Sequence, residues 1–95
     1  MKKILIVRLS SLGDVIHTFP MVYDIKTNKP EYEIDWLVDE SFIGIVKLNP
    51  NINKVISLPL RKWKSNKLGA IFSFVKWKKL LEYKNYDYII DAQGL

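Results

Sequence analysis

The chain has 95 residues, 48% of them hydrophobic, and a formal net charge of +5. This length allows one small domain, and the hydrophobic share is typical of a chain with a packed core, which argues against disorder. Cysteine is absent, so disulfides and thiolate metal sites are excluded, and a single histidine cannot anchor a metal without several carboxylates. We therefore expect no metal site and a reducing, cytoplasmic setting. We also expect no cofactor.

Four runs rich in β-branched and aromatic residues predict strands at residues 4–7, 34–38, 55–58 and 86–91. Because Arg8 ends the first run, that run is too short for a secretion signal. No stretch approaches the roughly 20 apolar residues of a membrane span, so any membrane contact would be peripheral.

The segments between the strands predict helices at residues 13–28, 42–48 and 65–83. Pro20 interrupts the first of these, because it cannot donate a hydrogen bond to the carbonyl of Ile16. That helix should therefore start near Thr18 or kink there. Strands that alternate with helices predict an α/β fold with a parallel, Rossmann-like sheet and right-handed crossovers.

Ligands of such sheets bind beyond the carboxyl ends of the strands, which directs attention to the segment after the first strand. There, Ser10, Ser11 and Gly13 would let backbone amides approach a ligand closely. The segment lacks the lysine of a Walker motif and the three glycines of a dinucleotide fingerprint, so it is not a phosphate loop. A nucleotide-binding redox domain is an alternative, but it predicts a glycine-rich phosphate loop here, and that loop is missing. Asp14 suits either a general base or a cap of the following helix.

Two further segments follow predicted strands. Residues 61–79 hold seven basic residues and no acidic one, which indicates a local anionic partner or a solvated positive face. Trp63 within this segment suits lipid head groups or stacking on nucleic acid, so a basic membrane-binding or nucleic-acid-binding module stays open. At the last strand, Asp91 and Gln93 would hydrogen-bond a substrate hydroxyl or stabilise the loop around Gly94.

Four blocks, in order and spacing, resemble the lipopolysaccharide heptosyltransferase I family, and they span essentially the whole chain. The blocks are RLSSLGDVIHTFP at residues 8–20, DWLVDE at 35–40, LRKWK at 60–64 and YDYIIDAQGL at 86–95. The resemblance implies the GT-B architecture, in which two Rossmann-like domains face each other across a cleft. Residues 1–95 would be the first part of the N-terminal, acceptor-binding domain, and the C-terminal, donor-binding domain would be absent.

The resemblance also implies an activity. This family transfers L-glycero-D-manno-heptose from ADP-heptose to Kdo of Kdo-lipid A, with inversion, at the cytoplasmic face of the bacterial inner membrane. The expected partners are thus the acceptor lipid, the donor and the membrane surface, without nucleic acid, and the 95 residues alone should be inactive. Another GT-B sugar transferase of the lipopolysaccharide core is the alternative within this architecture.

Carried over to this chain, the family pattern makes Asp14 the general base that takes the proton of the attacking hydroxyl. The basic cluster would hold the Kdo carboxylate or the lipid phosphates by charge-assisted hydrogen bonds. Arg8 replaces a frequent lysine and Lys62 a common arginine, and these cations are not equivalent. The expected acceptor-binding residues are Arg8, Ser10, Ser11, Gly13, Arg61, Lys62, Lys64 and Gln93.

Overall fold

The order of secondary structure follows the predicted alternation of strands and helices. The computed structural model describes residues 2–59 and 86–93. These residues form β1 (Lys3–Val7), α1 (Leu12–His17), α2 (Phe19–Asn28), β2 (Glu33–Asp39), a 3-10 helix (Glu40–Phe42), α3 (Ile43–Lys47), β3 (Lys54–Leu58) and β4 (Tyr88–Asp91). The four strands and the α/β class are confirmed, whereas the helix predicted at residues 65–83 lies outside the described residues.

The four strands form one sheet in the order β3-β2-β1-β4, and each neighbouring pair is parallel. In this register Ile6 of β1 lies between Trp36 of β2 and Ile90 of β4. The chain builds outward from β1 through β2 to β3 and then returns to the other side of β1. The direction of winding thus reverses between β1 and β4, which is the position where open α/β sheets bind ligands.

Strand β1 is buried on both faces, as expected for a central strand of a parallel sheet. Ile4 and Ile6 point to one face, and Leu5 and Val7 point to the other. The first face packs against the helices α1, α2 and α3 through a cluster made of Ile4, Ile6, Val15, Val22, Ile34, Trp36, Val38 and Val46. The second face carries Leu5, Val7, Leu9, Leu37, Ile56 and Leu58.

The predicted break near Thr18 is confirmed, since this residue separates α1 from α2. The Thr18 hydroxyl donates to the carbonyl of Asp14 at 2.8 Å, and its backbone N–H donates to the carbonyl of Val15 at 3.2 Å. Pro20 lies in the first turn of α2, where its missing N–H needs no partner. The break leaves α1 as a short helix of six residues that carries Asp14.

One buried carboxylate joins the beginning of β4 to β2. Asp35 accepts a hydrogen bond from the Tyr86 hydroxyl at 2.6 Å and one from Nδ2 of Asn53 at 3.2 Å. Burial, together with the bond to Asp35, raises the pKa of Tyr86. These contacts satisfy a charged group inside the sheet and help to place β4 beside β1. Within residues 2–59 and 86–93, no helix is long and apolar enough to cross a membrane.

Candidate active site

The loops that follow β1 and β4 lie against each other at the carboxyl ends of the parallel strands, a side of the sheet that we call its carboxyl edge. The backbone N–H groups of Ala92 and Gln93 both donate to the carbonyl of Val7, each at 3.0 Å. In the other direction, Oε1 of Gln93 accepts from the backbone N–H of Leu9 at 3.0 Å and from that of Ser10 at 3.3 Å. The two loops are therefore one hydrogen-bonded unit at the point where the winding of the sheet reverses.

Arg8 extends this unit to α1. One guanidinium nitrogen, Nη1, donates to the carbonyl of Ala92, and the other, Nη2, lies 2.9 Å from Oδ2 of Asp14. The carbonyl of Arg8 accepts a hydrogen bond of 3.0 Å from the indole N–H of Trp36. The side chain of Arg8 is only 19% exposed, whereas that of Asp14 is 54% exposed, so the ion pair is partly open to solvent.

Asp14 presents an ionised carboxylate at this edge, and its side chain is 54% exposed. The backbone N–H of Ser11 donates to Oδ2 at 3.4 Å, and the Ser11 hydroxyl donates to the same oxygen at 3.2 Å. The pKa of Asp14 is lowered, first by the backbone hydrogen bond from Ser11 and then by the positive charge of Arg8. The carboxylate is therefore ionised at neutral pH.

Both interpretations of Asp14 that the sequence permits are compatible with this geometry. Its contact with the Ser11 N–H caps the start of α1, as a helix-capping residue would. The contacts with Ser11 and Arg8 all use Oδ2, and in the described part of the chain no hydrogen bond or ion pair involves Oδ1. Because this carboxylate is ionised and half exposed, its Oδ1 can accept a proton from a hydroxyl that is bound beside it.

The structure brings together five of the predicted site residues, namely Arg8, Ser10, Ser11, Asp14 and Gln93. Gln93 contacts the first loop rather than only its own, so at least its Oε1 has a structural partner. Gly13 is exposed on α1, and a Cβ atom added there would meet nothing within 4 Å. Within the described residues, therefore, packing does not require glycine at this position, and its contact with an acceptor stays a prediction.

The basic cluster predicted from the sequence lies outside the described residues, because Arg61, Lys62 and Lys64 fall within residues 60–85. Their role as anion ligands stays a prediction. In the described part of the chain, no group of three or more His, Cys, Asp or Glu side chains could hold a metal ion.

Two residues that the sequence interpretation left without a role belong to this edge. Trp36 is fully buried, and its indole N–H fixes the backbone of Arg8. Asp39, at the carboxyl end of β2, is 8% exposed, and its backbone N–H donates to the carbonyl of Leu9 at 3.0 Å. A tryptophan within an aliphatic strand and an acidic residue at its last position are the sequence signals that would have indicated them.

Comparison with known proteins gives a consistent result. No protein-family model matches the chain. Lipopolysaccharide heptosyltransferase 1 of Pseudomonas aeruginosa is 38% identical over 95 residues, and that of Campylobacter coli is 40% identical over 93 residues. Each alignment covers 98% of this chain, but 27% and 25% of the respective relative. The chain is thus similar in sequence to lipopolysaccharide heptosyltransferases over nearly its whole length.

Solved structures of heptosyltransferases share the fold as well. The Escherichia coli heptosyltransferase WaaC with ADP superimposes with a TM-score of 0.80 at 36% identity, covering 98% of this chain and 30% of WaaC. A glycosyltransferase family 9 structure from Veillonella parvula gives a TM-score of 0.77 at 26% identity and covers 95% of this chain. The Rossmann-like fold and the predicted resemblance to heptosyltransferases are confirmed. The chain spans between a quarter and a third of these relatives' length.

Proposed function

We propose that the complete protein containing this chain is a glycosyltransferase that moves L-glycero-D-manno-heptose from ADP-heptose to Kdo of Kdo-lipid A. The observation that carries the proposal is the ionised Asp14 carboxylate, which lies where the winding of the sheet reverses between β1 and β4. The chain that forms this sheet superimposes on WaaC over 98% of its length. WaaC has been solved with ADP and with ADP-2-deoxy-2-fluoro heptose, which supports a nucleotide-sugar donor for this protein too.

The proposal divides the substrates between two domains. The described carboxyl edge carries Asp14 and its neighbours, and it would receive the acceptor, while a second domain outside these 95 residues would hold ADP-heptose. Since the acceptor is a lipid, the protein would work as a peripheral protein at the cytoplasmic face of the inner membrane. Arg61, Lys62 and Lys64 would bind the Kdo carboxylate or the lipid A phosphates.

The reaction would be a single displacement with inversion at the anomeric carbon. A Kdo hydroxyl attacks that carbon while the bond between the carbon and the diphosphate oxygen breaks, and ADP leaves with the electron pair. Asp14 takes the proton of the attacking hydroxyl, so a neutral glycosidic oxygen remains. A carboxylate that is ionised before the acceptor arrives, as that of Asp14 is at neutral pH, can accept this proton.

A transfer assay with the complete protein tests the substrates and the stereochemistry. ADP-heptose and Kdo-lipid A should give a heptosylated lipid by mass spectrometry, and NMR of the product should show the anomeric configuration opposite to that of the donor. ADP-glucose is the matched control donor, and it should react much more slowly. Transfer of glucose in preference to heptose would overturn the donor assignment, and retention of configuration would overturn the role of Asp14 as base in a single displacement.

A purely binding role for the basic segment predicts a different outcome. Binding to Kdo-lipid A vesicles would then fall steeply with salt, no transfer would occur, and Asp14→Asn would change nothing. A heptosyltransferase loses turnover on this substitution while it keeps its affinity for the acceptor lipid.

A further inference from the structure

We propose that Arg8 is a positioning residue for Asp14, because its guanidinium group joins the Ala92 carbonyl to the Asp14 carboxylate across the junction of the two loops. Its task is to hold the reacting carboxylate at the reversal point of the sheet. The inference rests on the proposed function of Asp14 as the base. It adds that Arg8 fixes the position of this base by connecting it to the loop after β4.

The guanidinium group makes two contacts that point in different directions. Nη1 donates to the carbonyl of Ala92 after β4, and Nη2 lies 2.9 Å from Oδ2 of Asp14 on α1. Because the guanidinium is planar and rigid, fixing one of its nitrogens on the residue that follows β4 also fixes the direction in which the other meets the carboxylate. The position of Asp14 is thus tied to β4, a strand more than 70 residues away in sequence.

Arg8 itself is held firmly enough to serve this purpose. Its backbone N–H donates to the carbonyl of Leu37 at 3.2 Å, and its carbonyl accepts the indole N–H of Trp36 at 3.0 Å. Both partners belong to β2, a strand buried over most of its length. The buried Nε of Arg8 has no hydrogen-bond partner among the described residues.

Asp14 needs such a support because the short helix α1 does little to fix the position of its side chain. It lies on a helix of only six residues, and its side chain is 54% exposed. Apart from Ser11 at the start of the same helix, Arg8 is the partner of its carboxylate among the described residues. A general base must reach the hydroxyl to within about 3 Å, and a displacement of about 1 Å can cost a hundredfold in rate.

The contact also selects the oxygen that reacts. Among residues 2–59 and 86–93, the contacts of the Asp14 carboxylate with Arg8 and Ser11 all use Oδ2, so Oδ1 is the oxygen that these residues leave for the acceptor hydroxyl. A lysine in place of Arg8 would be a point charge on a flexible stem, and it could not hold both partners in one plane. Arg8→Lys should therefore keep the charge beside Asp14 and lose part of the alignment.

A double-mutant cycle on the complete protein tests the inference. Arg8→Met should lower kcat for heptose transfer by about tenfold or more with little change in KM for ADP-heptose, and Arg8→Lys should restore part of this loss. In an Asp14→Asn background, the same Arg8→Met change should lower the residual kcat by less than about twofold, because the group it positions is gone. Lys26→Met is the matched control.

Lys26 is suitable because it also binds backbone carbonyls, those of Pro30 at 3.0 Å and Tyr32 at 2.6 Å, but away from Asp14. Its replacement should change kcat by less than about twofold in both backgrounds. If Arg8→Met lowers kcat equally with and without Asp14, its role is structural and the inference fails. If Arg8→Met does not fold, Arg8→Lys replaces it in the double-mutant cycle. Its effect on kcat is then compared in the wild-type and Asp14→Asn backgrounds in the same way. A wild type without heptose transfer would instead reject the proposed function.

Discussion

Oε1 of Gln93 accepts a hydrogen bond of 3.0 Å from the backbone N–H of Leu9, although 84 positions separate the two residues. The contact exists because β4 pairs with β1 in parallel, so that the loops following both strands leave the sheet at the same edge. It ties the loop after β1, which carries proposed acceptor-binding residues, to the loop after β4. The order of this edge therefore depends on Gln93 as well as on Arg8.

Gln93→Leu should lower the free energy of unfolding by about 1–3 kcal/mol, because the N–H groups of Leu9 and Ser10 lose their acceptor in a partly buried place. Gln93→Glu keeps an acceptor oxygen of the same reach and should lose less. Urea unfolding of the three proteins measures the difference. Equal midpoints for Gln93→Leu and the wild type would show that the contact contributes nothing.

Trp36→Phe should destabilise the protein by about 2–4 kcal/mol, because it leaves a cavity and removes the N–H that binds the Arg8 carbonyl. The ring of Phe19 packs edge-on against Trp36 at 5.6 Å, so Phe19→Leu also opens the core but leaves that hydrogen bond intact. Chemical unfolding and kcat are measured for both variants. We expect both to lose stability and Trp36→Phe to lose more kcat, and the reverse order would contradict the role of Trp36 at the site.

The stability that Asp14 provides should depend on pH in a definite direction. Its pKa in the folded protein lies below the ordinary value of 3.8, so its contribution is present above that value and disappears as the pH falls through the folded pKa. Asp14→Asn keeps an oxygen that can cap α1 and removes only the charge. Thermal melting should show the wild type to be the more stable at neutral pH, with a gap that narrows below about pH 4. A gap that stays constant or widens in acid would contradict stabilisation of the charged carboxylate by the Ser11 N–H and by Arg8.

Tyr86→Phe should reduce stability by about 1–3 kcal/mol without an effect on kcat, because its hydroxyl bonds Asp35 near the start of β4 rather than at the carboxyl edge. Tyr23→Phe is the matched control, since Tyr23 is 62% exposed. Removal of its hydroxyl should change the free energy of unfolding by less than about 0.5 kcal/mol. Urea unfolding and the transfer assay together check the prediction. A large fall in kcat for Tyr86→Phe would mean that the two ends of β4 are coupled.

The sequence predicts the elements of this fold well because their signals are local. β-Branched runs mark the strands, and Pro20 marks the break that leaves α1 as a separate helix. Ends of elements are less accurate: β4 begins at Tyr88, whereas the strand-like run predicted a start at residue 86. The position of each strand in the sheet is not a local property.

The candidate site is predictable only in part, for the same reason. The motif around Asp14 indicates a carboxylate after the first strand, and this is where the structure has it. The contacts of Arg8 with Ala92 and of Gln93 with Leu9 depend on β4 lying next to β1, and hydrophobic periodicity does not specify strand order. The buried role of Trp36 depends on the same tertiary arrangement.

The central claim is that Asp14 is the base of a heptose transfer, and the rate of a single turnover tests it most directly. The complete protein, Asp14→Asn and the control Asp24→Asn are each mixed in excess over Kdo-lipid A with saturating ADP-heptose, and binding of the acceptor is measured in parallel. Asp24 is an exposed carboxylate on α2, outside the edge described above. Our account predicts a loss of about 100-fold or more for Asp14→Asn, acceptor binding that is unchanged, and a wild-type rate for Asp24→Asn. An Asp14→Asn rate within about twofold of wild type would show that Asp14 only caps its helix and that another group takes the proton.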